Sequence, residues 1–157
     1  MRKFSAKVAS KAELSGAFIF PAIIALPDAG ISGPVDFLLD TGSARTIVGE
    51  DDLKRLGLDI NTLPRSSTPI SGWGGTTEAC VISNSCIFMR DSEGNSANFE
   101  APNIISGKNP RDRRAKKGRA GARMVSIPSV IGRDFLKLHG LVVHIDVGNQ
   151  DIFMYIP

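Results

Sequence analysis

Asp40, Thr41 and Gly42 are the residues of this chain best suited to chemistry, because they follow the apolar run Phe37-Leu38-Leu39 and precede a second, Thr46-Ile47-Val48. A carboxylate at the end of a buried strand can take a proton from water. The neighbouring threonine hydroxyl can brace a loop by hydrogen bonding, and the glycine lets backbone approach the carboxylate without a side chain intervening. At average composition, Asp followed by Thr or Ser and then Gly arises by chance in roughly one chain of this length in fifteen, so the tripeptide identifies nothing by itself. Asp-Thr-Gly is also good turn material, in which an aspartate simply accepts backbone hydrogen bonds.

Other reactive residue types are sparse. His139 and His144 lie in an apolar stretch near the C-terminus without a serine or cysteine nucleophile in a recognisable local motif, and they read as packed or surface histidines. Cys80 and Cys86 form no CxxC pair and have no histidines at metal-ligand spacing. They read as two buried thiols on one strand face, or as partners across a hairpin. No metal or cofactor is implied, and so few cysteines suit a reducing, cytoplasmic setting. The start, Met1-Arg2-Lys3-Phe4, carries the charge of a secretion signal, but Lys7, Lys11 and Glu13 break the apolar segment such a signal needs. No apolar run reaches the roughly 18 residues of a membrane span.

The elements that must position Asp40 follow from apolar runs separated by turn residues. The sequence of 157 residues suits one domain. Residues 1–14 are polar and basic with little periodicity and read as a loosely held arm, with order beginning near Ser15. Two strands, Ala17 to Leu26 and Val35 to Leu39, are joined by Pro27-Asp28-Ala29-Gly30, and the second feeds directly into Asp40. Glu50 to Leu56 reads as a short helix, with acids in its first turn, Lys54 and Arg55 in its last, and Gly57 as a left-handed cap. Pro69 to Glu78, containing Gly72-Trp73-Gly74-Gly75, reads as a mobile hairpin tip. Strands follow at Val81-Ile82, Ile87 to Met89 and residues 97–105. A short helix is expected from Asp134 to Leu138, then two closing strands at Leu141 to Val147 and Ile152 to Ile156. Many short strands with one or two brief helices predict an all-β fold.

The aliphatic flanks of Asp40-Thr41-Gly42, the glycine-rich hairpin about thirty residues later and the late Val130-Ile131-Gly132-Arg133-Asp134-Phe135-Leu136 stand in a recognisable order. In this the chain resembles the retropepsin-like aspartic proteases of the single-domain bacterial and retroelement type, from roughly Ser15 to Pro157. The resemblance implies a closed, barrel-like acid-protease fold, active as a two-fold homodimer on peptide or protein substrates. It assigns Asp40 as catalytic aspartate, Thr41 as the residue interlocking with its counterpart, and Gly42 as the glycine of that loop. Ser43 and the flap-tip residues Gly72, Trp73, Gly74 and Gly75 would contact substrate, and Ile131-Gly132 would pack beneath the loop. Only one Asp-Thr-Gly occurs, so Asp40 would have to meet Asp40 of a second chain. A fold retained without catalysis, as a peptide-binding or scaffold module, is the alternative.

Two features depart from that pattern. Ser43 stands where many relatives have alanine, and between Lys108 and Arg123 lie eight basic residues against one acid, a local +7 in a chain of net +3. This insertion reads as a solvated loop, a nucleic-acid or membrane-surface contact, or a processing site. It lacks the interleaved aromatic residues that single-strand nucleic-acid binders use.

Overall fold

A computed structural model describes residues 1–9, 16–72, 75–110 and 126–157. Its largest sheet grows from two long antiparallel pairs. Strand β3 (Phe18–Leu26) is hydrogen-bonded to β4 (Ile31–Leu39), from Ile19 opposite Leu38 to Leu26 opposite Ile31. Phe20, Ala22, Ile24 and Leu26 are buried at alternate positions, as are Val35 and Phe37, so one face of an almost wholly apolar run lines the core. Strand β7 (Ala79–Arg90) pairs with β8 (Ser96–Gly107) around a turn in which Asp91 Oδ1 accepts from the backbone N–H groups of Glu93 and Asn95. The two short runs expected at 81–82 and 87–89 are thus one strand. The polar residues between them stay in it, with Ser85 Oγ donating to the Ala101 carbonyl at 2.5 Å.

The sheet runs β8-β7-β3-β4-β9, with β9 (Val130–Ile131) parallel to β4 through Leu38 opposite Val130 and Leu39 opposite Ile131. A single residue then closes it. Ile47 bridges antiparallel to Val130 and parallel to Ile105 of β8, so the sheet returns on itself and becomes barrel-like. The core inside contains Phe20, Phe37, Ile87, Ile104 and Ile131. It is capped by helix α1 (Glu50–Leu56), which buries Leu53 and ends on Gly57 at φ 92°, as its charge pattern predicts.

Acidic residues at the start of α1 hold both described ends of the basic connection from β8 to β9. Asn109 donates to Glu50 and Asp51, Ser126 donates to Asp51, and Ser129 Oγ donates to Asp52 at 2.6 Å. Residues 111–125, which carry most of the predicted basic insertion, lie outside the described residues.

Strands β10 (Val142–Asp146) and β11 (Asp151–Ile156) form a C-terminal hairpin, and β1 (Arg2–Ser5) pairs with β11 in a three-stranded sheet ordered β1-β11-β10. The beginning of the chain therefore departs from the expected loose arm. Phe4 is 1% exposed within the core, and β11 offers an edge that β1 completes. Arg2 fixes the strand further through Asp91 at 2.8 Å and the Ser96 carbonyl at 2.6 Å. Strand β2 (Lys7–Val8) then pairs with β3. Both cysteines lie on β7, six positions and so roughly 20 Å apart, which excludes the cross-hairpin pairing; both are free. Burial pushes the Cys80 thiol up. Among the described residues no helix is long and apolar enough to cross a membrane.

Candidate active site

Asp40 is the first residue beyond β4, and its position is set by the strand beside it. Its N–H donates to the carbonyl of Ile131 at 3.2 Å, extending the parallel β4–β9 ladder by one step. The chain turns back immediately. Asp40 Oδ1 accepts from the N–H groups of Gly42 at 2.9 Å and Ser43 at 3.2 Å, while the Asp40 carbonyl accepts from Ser43 at 3.1 Å. This fixes the carboxylate against its own loop and leaves Thr41 and Gly42 exposed at the tip.

A second set of bonds locks the loop from behind. The Ser43 carbonyl accepts from Arg133 N–H at 2.9 Å, at the start of helix α2 (Arg133–Leu138). Thr46 is 2% exposed, and its hydroxyl accepts from Gly132 N–H at 3.0 Å while donating to Asp134 Oδ1 at 2.7 Å. Asp134 also receives Phe135 N–H at 2.7 Å and faces Arg45 Nε at 3.4 Å. Gly132 is required by contact: a Cβ there would lie 2.4 Å from the carbonyl carbon and oxygen of Arg45. Strand β9 is consequently threaded between β4, which enters the Asp40 loop, and Ile47, which leaves it.

The sequence-predicted site residues divide into three groups. Asp40, Gly42 and Ser43 come together in one hydrogen-bonded turn, in which the Ser43 hydroxyl donates to the Arg45 carbonyl at 2.7 Å. Thr41 is exposed, and its side chain makes no hydrogen bond among the described residues; the bracing expected of its hydroxyl is performed by Thr46. Gly72 and Gly75 face each other at the ends of β5 (Ile70–Gly72) and β6 (Gly75–Thr77), an exposed two-stranded hairpin. Trp73 and Gly74 lie outside the described residues.

Thr46 and Asp134 were not distinguished by the sequence as a bonded pair, being 88 positions apart. The available signal was a threonine inside an otherwise aliphatic exit strand. A cavity of about 750 Å³ borders this brace, lined in part by Arg45, Thr46, Arg65, Asn103, Asp134 and Phe135. No group of His, Cys, Asp and Glu among the described residues could hold a metal ion.

A sheet closed through Ile47, a strand beside the loop that carries Asp-Thr-Gly and a short helix immediately after it make up an acid-protease type of fold. The chain belongs to the aspartyl protease family, whose model matches residues 29–135, from the turn before β4 to the first residues of α2. Its fold is retropepsin-like. A crystal structure of a retropepsin-like aspartic protease from Rickettsia conorii superposes with a TM-score of 0.53 at 15% identity, covering 97% of this chain and 89% of that one. EIAV protease complexed with the inhibitor HBY-793 aligns over 86% of this chain and 99% of its own, at 17% identity and a TM-score of 0.45. None of the curated proteins matches the sequence.

Proposed function

We propose that this chain is an aspartic endopeptidase whose active site forms when two copies bring their Asp40 carboxylates together. The observation that carries the reading is the single Asp-Thr-Gly turn, with its carboxylate pinned by two backbone N–H groups and its tip exposed. Two carboxylates in close contact cannot both ionise, so one holds a proton while the other takes one from water. The water oxygen attacks the peptide carbonyl and the protonated carboxyl supports the developing oxyanion. The proton then passes to the departing amine, and no covalent acyl-enzyme forms. The pair titrates as a unit. In this reading Thr41 meets its counterpart across the two-fold axis, Ser43 borders the substrate, and the hairpin containing Gly72, Trp73, Gly74 and Gly75 covers the bound peptide.

Asp40→Asn keeps the size and most of the hydrogen-bonding capacity of the side chain. It is expected to lower cleavage of an unstructured protein at acidic pH by about 10³-fold or more while leaving the association of the chains intact. A fully active variant overturns the reading.

A further inference from the structure

The cavity of about 750 Å³ beside the Thr46–Asp134 brace lies apart from the residues that would perform or cover the cleavage. Among the described residues, neither Asp40 to Ser43 nor Gly72 and Gly75 line it. Its walls nevertheless come from the two elements that would flank a bound peptide. Arg45 and Thr46 belong to the chain leaving the Asp40 loop, and Ser66, Ser67 and Thr68 to the segment that enters β5. Asp40 and Arg45 are five positions apart in the chain, so their Cα atoms lie within about 17 Å, the span of about five residues of extended peptide. Ile104, Phe135 and Leu138 add apolar surface, and Leu138 is 58% exposed.

The charges on these walls are unequal. Arg45 and Arg65 stand against one acid among the described lining residues, Asp134. Asp134 is already engaged: Oδ1 accepts from the Thr46 hydroxyl and from Phe135 N–H, and Oδ2 lies 3.4 Å from Arg45 Nε. Arg45 Nη2 donates to the Asn103 carbonyl at 3.0 Å, which leaves other donors of its fork without a partner among the described residues. Arg65 makes no hydrogen bond there at all; its side chain is 77% exposed and meets Glu78 only at 3.6 Å. A carboxylate matches a guanidinium fork through two parallel N–H···O bonds.

We propose that this cavity selects substrates by binding an acidic side chain of the peptide, Asp or Glu, within about five residues of the scissile bond, with Arg65 and Arg45 as its partners. This rests on the endopeptidase reading. Two copies would present two such cavities, one on each side of the scissile bond. An apolar residue next to the acid would cover Leu138. Arg45 is tied to the Asp40 turn, because the Ser43 hydroxyl donates to its carbonyl at 2.7 Å. Arg65 is therefore the residue to change, since it has no bond to that turn.

The test begins with a mixed library of unstructured peptides cleaved by the wild-type chain at about pH 5.5, where Asp and Glu side chains are ionised. Mass spectrometry of the products gives the residues around each cut. The value of kcat/KM is then measured for the best-cleaved peptide and for the same peptide with its acid replaced by the amide, with the wild type and with Arg65→Gln. The expected result is enrichment of acids at a fixed distance from the cut and at least about a tenfold loss on amidation with the wild type. With Arg65→Gln the two peptides should come within about twofold of each other. Absence of acid enrichment, or discrimination that survives Arg65→Gln, overturns the acidic site and leaves the endopeptidase standing. The wild-type library supplies an answer even if the variant fails to fold. A wild-type chain that cleaves no peptide overturns both.

Discussion

The Asp40 loop and the β5–β6 hairpin are both short and glycine-bearing, but they are held in opposite ways. The loop is tied by backbone bonds to β9 at its start and to α2 at its end, and Thr46 supplies buried side-chain bonds behind it. The hairpin is joined at its base, where Ile70 packs against the small cluster of Ile47, Ile105 and Val130 and Thr77 Oγ1 donates to the Lys108 carbonyl at 2.8 Å. Farther out, its side-chain link between Ser71 and Thr76 is solvent-exposed. Backbone with few buried contacts opens at little free-energy cost, whereas a loop fixed by buried bonds moves only with the core. In the proposed function, the difference separates the element that holds the reacting carboxylate from the one that admits the peptide.

Variants in both regions would break or sharpen that contrast, and one at β1 adds a test of its anchor, beyond the loss of activity expected for Asp40→Asn. The largest stability effect should come from Gly132→Ala, because the new methyl would meet Arg45 backbone, which cannot yield as a flexible side chain can. Chemical denaturation should show a loss of about 3 kcal/mol or more, with activity falling alongside it. Thr46→Val comes next, since it leaves the buried Gly132 N–H without an acceptor and removes one of the donors to Asp134; about 1–3 kcal/mol is expected in the same measurement. Thr46→Ser should recover much of it by restoring the hydroxyl.

Gly75→Ala tests the other region. Gly75 sits at φ 107°, a conformation that strains any residue with a Cβ by about 1 kcal/mol. Hydrogen exchange at Thr76 and Thr77 should accelerate roughly fivefold while the global unfolding midpoint stays near its original value. A midpoint shift as large as that of Thr46→Val would abolish the contrast.

The smallest effect concerns acid. The Asp91 carboxyl is held below its usual range, chiefly by its hydrogen bond from Arg2 and then by the N–H groups of Asn95 and Glu93. A depressed folded-state value means that this contribution is complete above the unfolded carboxylate value near 3.9 and disappears as pH falls through the lower folded value. Thermal melts from pH 5 to pH 2 should therefore fall less steeply for Arg2→Gln than for the wild type. An identical slope would show that the β1 anchor contributes nothing to acid sensitivity.

Strands and helices that are local in sequence were legible in advance. The α1 boundaries follow from acids at one end and Gly57 at the other, and β3, β4, β10 and β11 follow from apolar runs between turn residues. β1 was missed because Arg2–Ser5 has no periodicity of its own; its order comes from Phe4 entering the core and from β11 at the far end of the chain. The merging of two runs into β7 was missed for a related reason. Ser83 and Ser85 look like loop residues until β8 provides their partners.

The sequence by itself pointed to the aspartyl protease family, since Asp40-Thr41-Gly42 between aliphatic flanks is a matter of residue identity and order. It also determined that one chain supplies only one such carboxylate. Tertiary structure alone decided what holds that carboxylate in place: β9 threaded beside it, Ile47 closing the sheet, and Thr46 joined to Gly132 and Asp134. Those contacts depend on hydrogen bonds and close backbone approach between segments more than fifty residues apart, which no local pattern encodes.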